Sequence, residues 1–211
     1  MLARFLAAIA AMVAIVAASN VLVQYPFAVQ LGPVNLGDIL TWGAWSYPVA
    51  FLVTDLTNRT FGPAKARLAV LAGFVVAVIL SIYLATPRIA IASGSAFLVA
   101  QLLDIAIFHR LRDGAWWRAP MFSSLVSSAL DTAIFFSLAM APAFAGIDAM
   151  FGMEDSSLPF PAPFLAVGPE VPLWVSLAAG DFLVKLLLTV LMLAPYKTLR
   201  GWLAGRGAVA V

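Results

Sequence analysis

The chain has 211 residues, of which 64% are hydrophobic and only 10% are charged. Soluble domains carry about 45–50% apolar and about 25% charged residues, so this composition excludes a water-solvated surface. A lipid bilayer is the ordinary solvent for such a chain, which predicts an integral membrane protein. The lack of cysteine excludes disulfides, thiolate zinc sites, iron–sulfur clusters and a cysteine nucleophile.

Six apolar stretches are long enough to cross a hydrocarbon layer of about 30 Å as helices. Transmembrane β-barrels are built from alternating segments of about 10 residues, and the sequence shows no such alternation. We therefore predict an all-α membrane protein, folded as a single domain over residues 1–211. The predicted crossings are residues 5–25, 38–57, 67–87, 89–109, 121–142 and 173–195.

The basic residues predict the orientation of the chain. Ten lie on one side of the predicted crossings, Arg88 lies on the other, and Lys185 lies within the last crossing. The positive-inside rule then places both termini in the cytoplasm. Because topology explains the basic charge, nucleic acid is not expected as a partner. The ten residues are Arg4, Arg59, Lys65, Arg67, Arg110, Arg112, Arg118, Lys197, Arg200 and Arg206.

The first crossing has two interpretations. Arg4, the apolar run and the small residues 16–18 are typical of a signal peptide with its cleavage site. The run continues to Phe27, however, which favours a retained helix. Near the outer end of this helix, Asn20 and Gln24 lie four residues apart and therefore on one face.

The second crossing begins with two tryptophans three residues apart, Trp42 and Trp45. Tryptophan is a common anchor at membrane interfaces, and two such rings could also stack on a planar ligand. At the inner end of this crossing, Asp55 and Arg59 are predicted to form a surface pair that ends the helix. The third crossing carries no charge between residues 68 and 85, which is typical of a lipid-facing support.

Polar residues inside the remaining crossings are the candidate site, because an ionisable group in lipid costs several kcal/mol without a partner or a watery cavity. In the fourth crossing, Gln101 lies deep, whereas Asp104 is expected to pair with His109 or Arg110 near the cytoplasmic edge. Asp131 lies near the middle of the fifth crossing and has no basic neighbour in that segment, so Lys185 is its predicted partner.

Ser124, Ser127 and Asp131 form a polar stripe at helical spacing, and Asp181 and Lys185 lie four residues apart. Two interpretations of the last two residues stay open: a structural ion pair, or a pair that lines a cavity and is shared with a ligand. The loop 143–172 stands apart because proline at its density blocks regular helix. It forms either a cap over the outer face or a simple interfacial loop.

Motifs for nucleotide hydrolysis (GxxxxGK[ST]), zinc proteolysis (HExxH) and serine hydrolysis (GxSxG) are absent from the sequence. Amides, carboxylates and one amine make up the polar set inside the crossings, which suits binding of a neutral or cationic small molecule. The sequence therefore predicts a membrane protein that binds a small molecule, either as a transporter or as a binding subunit for a separate ATPase module. A membrane-embedded enzyme is disfavoured. No cofactor or metal is expected.

Five stretches of the sequence resemble the queuosine precursor transporters, also called the vitamin uptake transporter family. The stretches cover most of the chain and occur in order. They are SNVLVQYP (Ser19–Pro26), TWGAWSYPVAFLVTDLTNRTFG (Thr41–Gly62), AxxxAQLLDIAIFHRLR (Ala96–Arg112), SALDTAIFF (Ser128–Phe136) and DFLVK (Asp181–Lys185).

The resemblance implies a six-helix protein of the bacterial inner membrane that takes up the 7-deazaguanine compounds preQ0 and preQ1. It also implies a fold similar to the substrate-binding components of energy-coupling-factor importers, working without their ATPase module. A carboxylate of Asp131 or Asp181 suits the N1–H and exocyclic amine of such a ligand, and Lys185 would hold a carboxylate ionised or reach O6. The other candidates are Asn20, Gln24 and Gln101 as donors to O6, and Trp42, Trp45 and Phe135 as stacking partners.

Overall fold

The computed structural model describes residues 1–32 and 34–208, without the side chains of residues 204–208, Arg206 among them. Helices dominate this part of the chain, and two short antiparallel hairpins lie in connecting segments. The helices are α1 (Leu2–Leu22), α2 (Trp42–Ser46), α3 (Val49–Phe61), α4 (Pro63–Leu84), α5 (Pro87–Leu111), α6 (Arg118–Met140), α7 (Gly146–Met150), α8 (Leu173–Leu191) and α9 (Leu193–Ala208). The strands are β1 (Gln30–Leu31), β2 (Val34–Asn35), β3 (Pro161–Pro163) and β4 (Glu170–Pro172).

Within the described residues, five segments are helical, long and apolar enough to cross a membrane. They are α1, α4, α5, α6 and the stretch Leu173–Leu203, which combines α8 with the start of α9. Many large apolar side chains on these helices are exposed, as expected where lipid is the solvent; on α4 they include Leu68, Leu71, Val75, Ile79 and Ile82. The prediction of an all-α membrane protein is confirmed.

The predicted crossing at residues 38–57 is divided into two helices in the structure. The five-residue α2 ends at Ser46, and the 13-residue α3 begins after the buried Pro48. Proline removes a backbone donor and restricts the residue before it, which favours a break at this position. Neither α2 nor α3 alone spans about 30 Å at 1.5 Å per residue.

The junction between α3 and α4 follows from two residues. Gly62 has φ of +86°, a left-handed conformation that suits glycine, and it ends α3. Pro63 then occupies the first position of α4, where its fixed φ favours a helix and its lack of an N–H costs no hydrogen bond. The chain therefore reverses direction between the two helices within a very short connection.

The bundle has two ends, which differ in what they carry. The loop end contains the last turns of α1, α4 and α6, the first turns of α5 and α8, and the segment between α6 and α8. The basic end contains the opposite termini of these helices together with α9 and most of the basic residues. Between the ends, Met12, Val16, Val70, Phe97 and Ile105 belong to a buried apolar core shared by α1, α4 and α5.

The loop between α6 and α8 is more ordered than its prolines predict. It contains α7 and the β3–β4 hairpin, in which Pro161 pairs with Pro172. Ser176 in the first turn of α8 ties this hairpin down, because its hydroxyl accepts from the Leu165 N–H at 2.7 Å and donates to the Pro163 carbonyl at 3.3 Å. The hairpin is therefore attached directly to the start of α8.

Candidate functional site

A cavity of about 780 Å³ lies in the loop-end half of the bundle. Its walls come from the last turns of α1 and α4, from α2, α5, α6 and α8, and from the segment that precedes α2. Pockets for small molecules commonly measure about 300–1,000 Å³ and combine an apolar lining with a few convergent polar groups. The polar groups here include Tyr47, Asp131, Asp181 and Lys185.

Asp131, Asp181 and Lys185 meet in one buried cluster, which we call the ion triad. The Lys185 Nζ lies 2.7 Å from Asp131 Oδ2 and 2.6 Å from Asp181 Oδ2. Only 4% of the lysine side chain and 5% of the Asp131 side chain are exposed, against 15% for Asp181. The predicted pairing of Asp131 with Lys185 is confirmed. With both carboxyl groups ionised, the triad carries one negative charge in excess.

Two neighbouring hydroxyl groups hold the ion triad in place. Thr132 Oγ1 donates to Asp181 Oδ2 at 2.7 Å and accepts from Lys185 Nζ at 3.1 Å. The Tyr47 hydroxyl lies 3.5 Å from Asp131 Oδ1, and its ring centre is 5.8 Å from the lysine nitrogen. Thr132 was missed in the sequence although it adjoins Asp131, and Tyr47 was noticed only as part of the TWGAWSYP stretch.

Asn20 and Gln24 line the same cavity from the last turns of α1 and the turn that follows it. Asn20 Oδ1 accepts from the Ser81 hydroxyl at 3.3 Å, and its Nδ2 donates to the Val16 carbonyl at 3.0 Å. The Gln24 amide makes only a long contact of 3.4 Å to the Asn20 carbonyl oxygen. Gln24 is therefore the freer of the two amides to bind a ligand.

The close approach of α1 and α2 depends on a glycine. A Cβ at Gly43 would lie 2.8 Å from Val23 Cβ and 2.9 Å from Val23 Cα, too near for any larger residue without movement of the backbone. Gly43 itself lines the cavity. Gly43 therefore allows α1 and α2 to pack closely enough to form this wall of the cavity.

The structure brings six of the predicted site residues to this cavity: Asn20, Gln24, Asp131, Phe135, Asp181 and Lys185. Trp42 and Trp45 lie outside its lining, because both pack against Phe27, with ring centres 4.7 and 5.0 Å from its own. Gln101 is also absent from the lining. It is fully buried in the other half of the bundle and accepts from Thr54 Oγ1 at 2.5 Å.

Arg88, which lies on the opposite side from the ten other basic residues outside the crossings, fixes the loop between α6 and α8 at the loop end of the bundle. Its guanidinium is fully buried and lies 2.7 Å from Asp148 Oδ2 in α7. It also donates to the carbonyl oxygens of Leu138 at 2.7 Å and Ala141 at 2.6 Å, at the end of α6. The loop held in this way places Met153 in the lining of the cavity.

Hydrogen bonds keep the Asp148 carboxylate ionised. The Ser156 backbone N–H, followed by the Arg88 guanidinium and the Ser156 hydroxyl, lowers the pKa of Asp148 below its ordinary value. The contact between Asp148 and Arg88 is therefore present at neutral pH, and it is lost only as the pH falls through that lowered pKa.

Two expected surface pairs are wrong. Asp55 is buried, and Arg59 instead donates to the Arg112 carbonyl at 2.6 Å and to the Tyr196 hydroxyl at 3.3 Å. Asp104 is fully buried beside Asp55 rather than paired with His109 or Arg110, both of which are exposed. The packing of α3 against α5 turns both carboxyl groups into the bundle. The long Arg59 side chain instead reaches past the end of α3.

The fold and the cavity together define a multi-pass membrane protein with a buried polar site for a small molecule. The sequence model of the family described as "Putative vitamin uptake transporter" matches residues 41–86 and 81–199. The chain belongs to this family. No solved structure matches the chain.

Curated relatives of the chain are named as transporters. A "Probable queuosine precursor transporter" of Haemophilus influenzae is 34% identical over 208 residues, covering 86% of this chain and 79% of that protein. The "Queuosine precursor transporter" of Escherichia coli is 30% identical over 202 residues, with the same coverage. A "Probable queuosine precursor transporter" of Bacillus subtilis is 30% identical over 131 residues, covering 49% of this chain and 57% of that protein.

Proposed function

We propose that this protein imports 7-deazaguanine precursors of queuosine, preQ0 or preQ1, across the bacterial inner membrane. The observation that carries the proposal is the ion triad, which lies at a cavity of small-molecule size inside the bundle. The names of the relatives agree with this substrate class. A transporter needs no catalytic residues or cofactor, and none is assigned.

The chemistry of the ligand suits the residues that line the cavity. A 7-deazaguanine presents N1–H and an exocyclic amine side by side, and one carboxylate can accept from both. We assign this role to Asp181, because it is the more exposed carboxylate of the triad. The Gln24 amide is free to donate to the O6 carbonyl, and Phe135 offers an aromatic face to the ring.

The excess negative charge of the ion triad favours a ligand that brings hydrogen-bond donors or positive charge. The aminomethyl group of preQ1 is protonated at neutral pH and would compensate this charge, whereas the cyano group of preQ0 would not. A cavity lined by three carboxylates, those of Asp38, Asp131 and Asp181, and by one lysine therefore favours preQ1 when both compounds are present.

We further propose that the whole chain is one domain with six crossings. Residues 42–61, which contain α2 and α3, would form the second crossing, since about 30 Å at 1.5 Å per residue requires this length. Both termini and the basic end would then face the cytoplasm, and the loop end would face outward. The proposed partners are the substrate and the bilayer; nucleic acid is not expected, and an ATPase module is not required.

Uptake of labelled preQ0 and preQ1 tests the proposal in cells that need an external precursor and express this protein alone. We expect queuosine to appear in tRNA, and Asp131→Asn to reduce uptake at least tenfold, because the lysine then loses the more buried of its two carboxylate partners. The matched control is Asp113→Asn, since the Asp113 side chain is 95% exposed. Uptake that requires an added ATPase module would instead indicate a binding subunit, and no uptake despite good membrane expression would contradict the substrate class.

A further inference from the structure

A second buried polar cluster lies in the half of the bundle toward the basic end. Asp55 on α3 and Asp104 on α5 turn toward each other, and their carboxyl groups are within hydrogen-bonding contact. Asp55 is 2% exposed and Asp104 is fully buried. The Ser123 hydroxyl of α6 donates to Asp55 Oδ1 at 3.4 Å. We call Asp55 and Asp104 the carboxyl pair.

In the described part of the chain, no basic side chain forms an ion pair with the carboxyl pair, and Arg59 acts on Asp55 only from a distance. Neither oxygen of Asp104 has a hydrogen-bond donor within 3.5 Å among the described residues, although the Ser123 hydroxyl lies near enough to act on both carboxyl groups. Around Asp55, the charged or titratable groups that the described residues present are Asp104 on α5, Arg59 on α3 and Tyr196 on α9, and the latter two bond to each other. Two carboxylates in contact repel each other strongly, whereas a proton shared between them turns the contact into a hydrogen bond.

Two unpartnered polar side chains lie one helical turn from residues at this contact. Gln101 Nε2 lies one turn before Asp104 on α5, and Ser127 Oγ lies one turn after Ser123 on α6. Both residues are fully buried, and neither atom has a hydrogen-bond partner among the described residues. Buried polar groups are usually satisfied, so a cluster of this kind points to a small polar ligand or a proton that the groups share.

A row of serines on α6 lies between the carboxyl pair and the ion triad. Ser123, Ser124, Ser127 and Ser128 are all buried and precede Asp131 on this helix. At 1.5 Å per residue, Ser123 and Asp131 are about 12 Å apart along the helix axis. A hydroxyl both donates and accepts, so it can pass a proton along a hydrogen-bonded chain. The Ser127 and Ser128 hydroxyls have no partner within the described residues, which leaves them available for this role.

We propose that the carboxyl pair is a proton-binding site and that proton movement from the ion triad to this pair drives import. The proposal rests on the transport function proposed above and adds its energy source. In each cycle one proton enters from the loop end, binds at the ion triad, passes to the carboxyl pair and leaves at the basic end. Each transfer breaks one O–H bond and forms another, and no other covalent bond changes. For each proton taken up at the loop end, one proton is released at the basic end.

Proteoliposomes that contain the full chain and an internal pH indicator test this coupling. We expect preQ1 added outside to acidify the interior, and an outward-acid gradient to raise the initial uptake rate at least fivefold. Asp104→Asn keeps the shape of the side chain and lets its amide donate to Asp55, so the fold should be retained. We expect this variant to bind preQ1 within twofold of the unmodified protein, with acidification and gradient stimulation both lost.

Two controls make the result decisive. Asp113→Asn should behave like the unmodified protein, and Asp55→Asn should repeat the loss seen with Asp104→Asn. Uptake without acidification, or unchanged coupling in Asp104→Asn, would overturn the proton site while leaving the transport function intact. Loss of uptake when sodium is replaced by choline at constant pH would assign the pair to a cation and overturn the proposal too. No uptake under any gradient would contradict the transport function itself.

Discussion

At the scale of single residues, Lys185 determines whether the site can exist. It is the partner of two carboxylates, and its side chain is 4% exposed. Removing one member of a buried ion cluster leaves the others charged and uncompensated, which typically costs about 3–5 kcal/mol. The lysine therefore stabilises the buried cluster around which the proposed binding site is built.

We predict that Lys185→Met lowers the melting temperature of the purified protein by several degrees and reduces uptake more than tenfold. The reason is that Asp131 and Asp181 would face each other without a cation. Thermal unfolding in detergent and uptake in cells measure the two effects. Lys197→Met is the matched control, because Lys197 is exposed on α9. Equal behaviour of the two variants would show that the ion triad is dispensable.

The residue scale also shows where prediction from sequence succeeds. The spacing of Asp181 and Lys185 places both on one face of a helix, and the lack of any other basic residue in the crossings points to Lys185 as the partner of Asp131. The contact between Asp55 and Asp104 could not be predicted in this way. It depends on how α3 and α5 pack, and nothing in the local sequence of either helix determines which faces meet.

At the scale of helices and loops, Arg88 is the connection between α5, α6 and the loop that follows α6. Because its five hydrogen bonds reach Leu138, Ala141, Asp148, Asp155 and Ser157, one side chain holds three parts of the chain together. Without it, Asp148 would be a buried carboxylate lacking its cation. The position of Met153 over the cavity depends on this anchoring.

We predict that Arg88→Gln releases the loop between α6 and α8. Protease applied to the loop side should cut this segment at least ten times faster than in the unmodified protein, and uptake should fall. Arg110→Gln serves as the control on the same helix, because Arg110 is exposed. Unchanged cleavage in Arg88→Gln would show that the hairpin and Ser176 hold the loop without the arginine.

The tryptophans show why some elements were harder to predict than others. The sequence places Trp42 and Trp45 three residues apart, which allows a stacking site in a continuous helix. In the structure α2 has only five residues, and Phe27 from the preceding segment packs against both rings. Tertiary contacts determine where a short helix beside an irregular segment begins and ends. The length of the apolar run therefore predicted one continuous helix where the structure has α2 and α3.

At the scale of the whole molecule, the scarcity of charge predicts the class of protein, and the placement of charge predicts its orientation. The chain lacks cysteine, so a single introduced cysteine reports on one position without background. Glu154 is exposed at the loop end, and Asp113 is exposed at the basic end. These two residues therefore provide a direct test of orientation.

We predict that a membrane-impermeant maleimide labels Glu154→Cys in intact spheroplasts and labels Asp113→Cys only after the membrane is permeabilised. The physical reason is the positive-inside rule, by which the excess of arginine and lysine at the basic end favours a cytoplasmic position for that end. Gel shift of the labelled protein measures the outcome. Labelling of Asp113→Cys in intact cells would mean that the orientation is reversed.

The ion triad has a consequence for biogenesis. Lys185 is synthesised 54 residues after Asp131, so α6 enters the bilayer with its carboxyl group still without a partner. At about 5–20 residues per second, this interval lasts roughly 3–11 s. During that time Asp131 must stay protonated, or remain within the insertion machinery. Synthesis of α8, which carries Lys185, therefore completes the ion triad. A ribosome that stalls before Lys185 would leave a chain with an incomplete triad, which quality-control proteases would recognise.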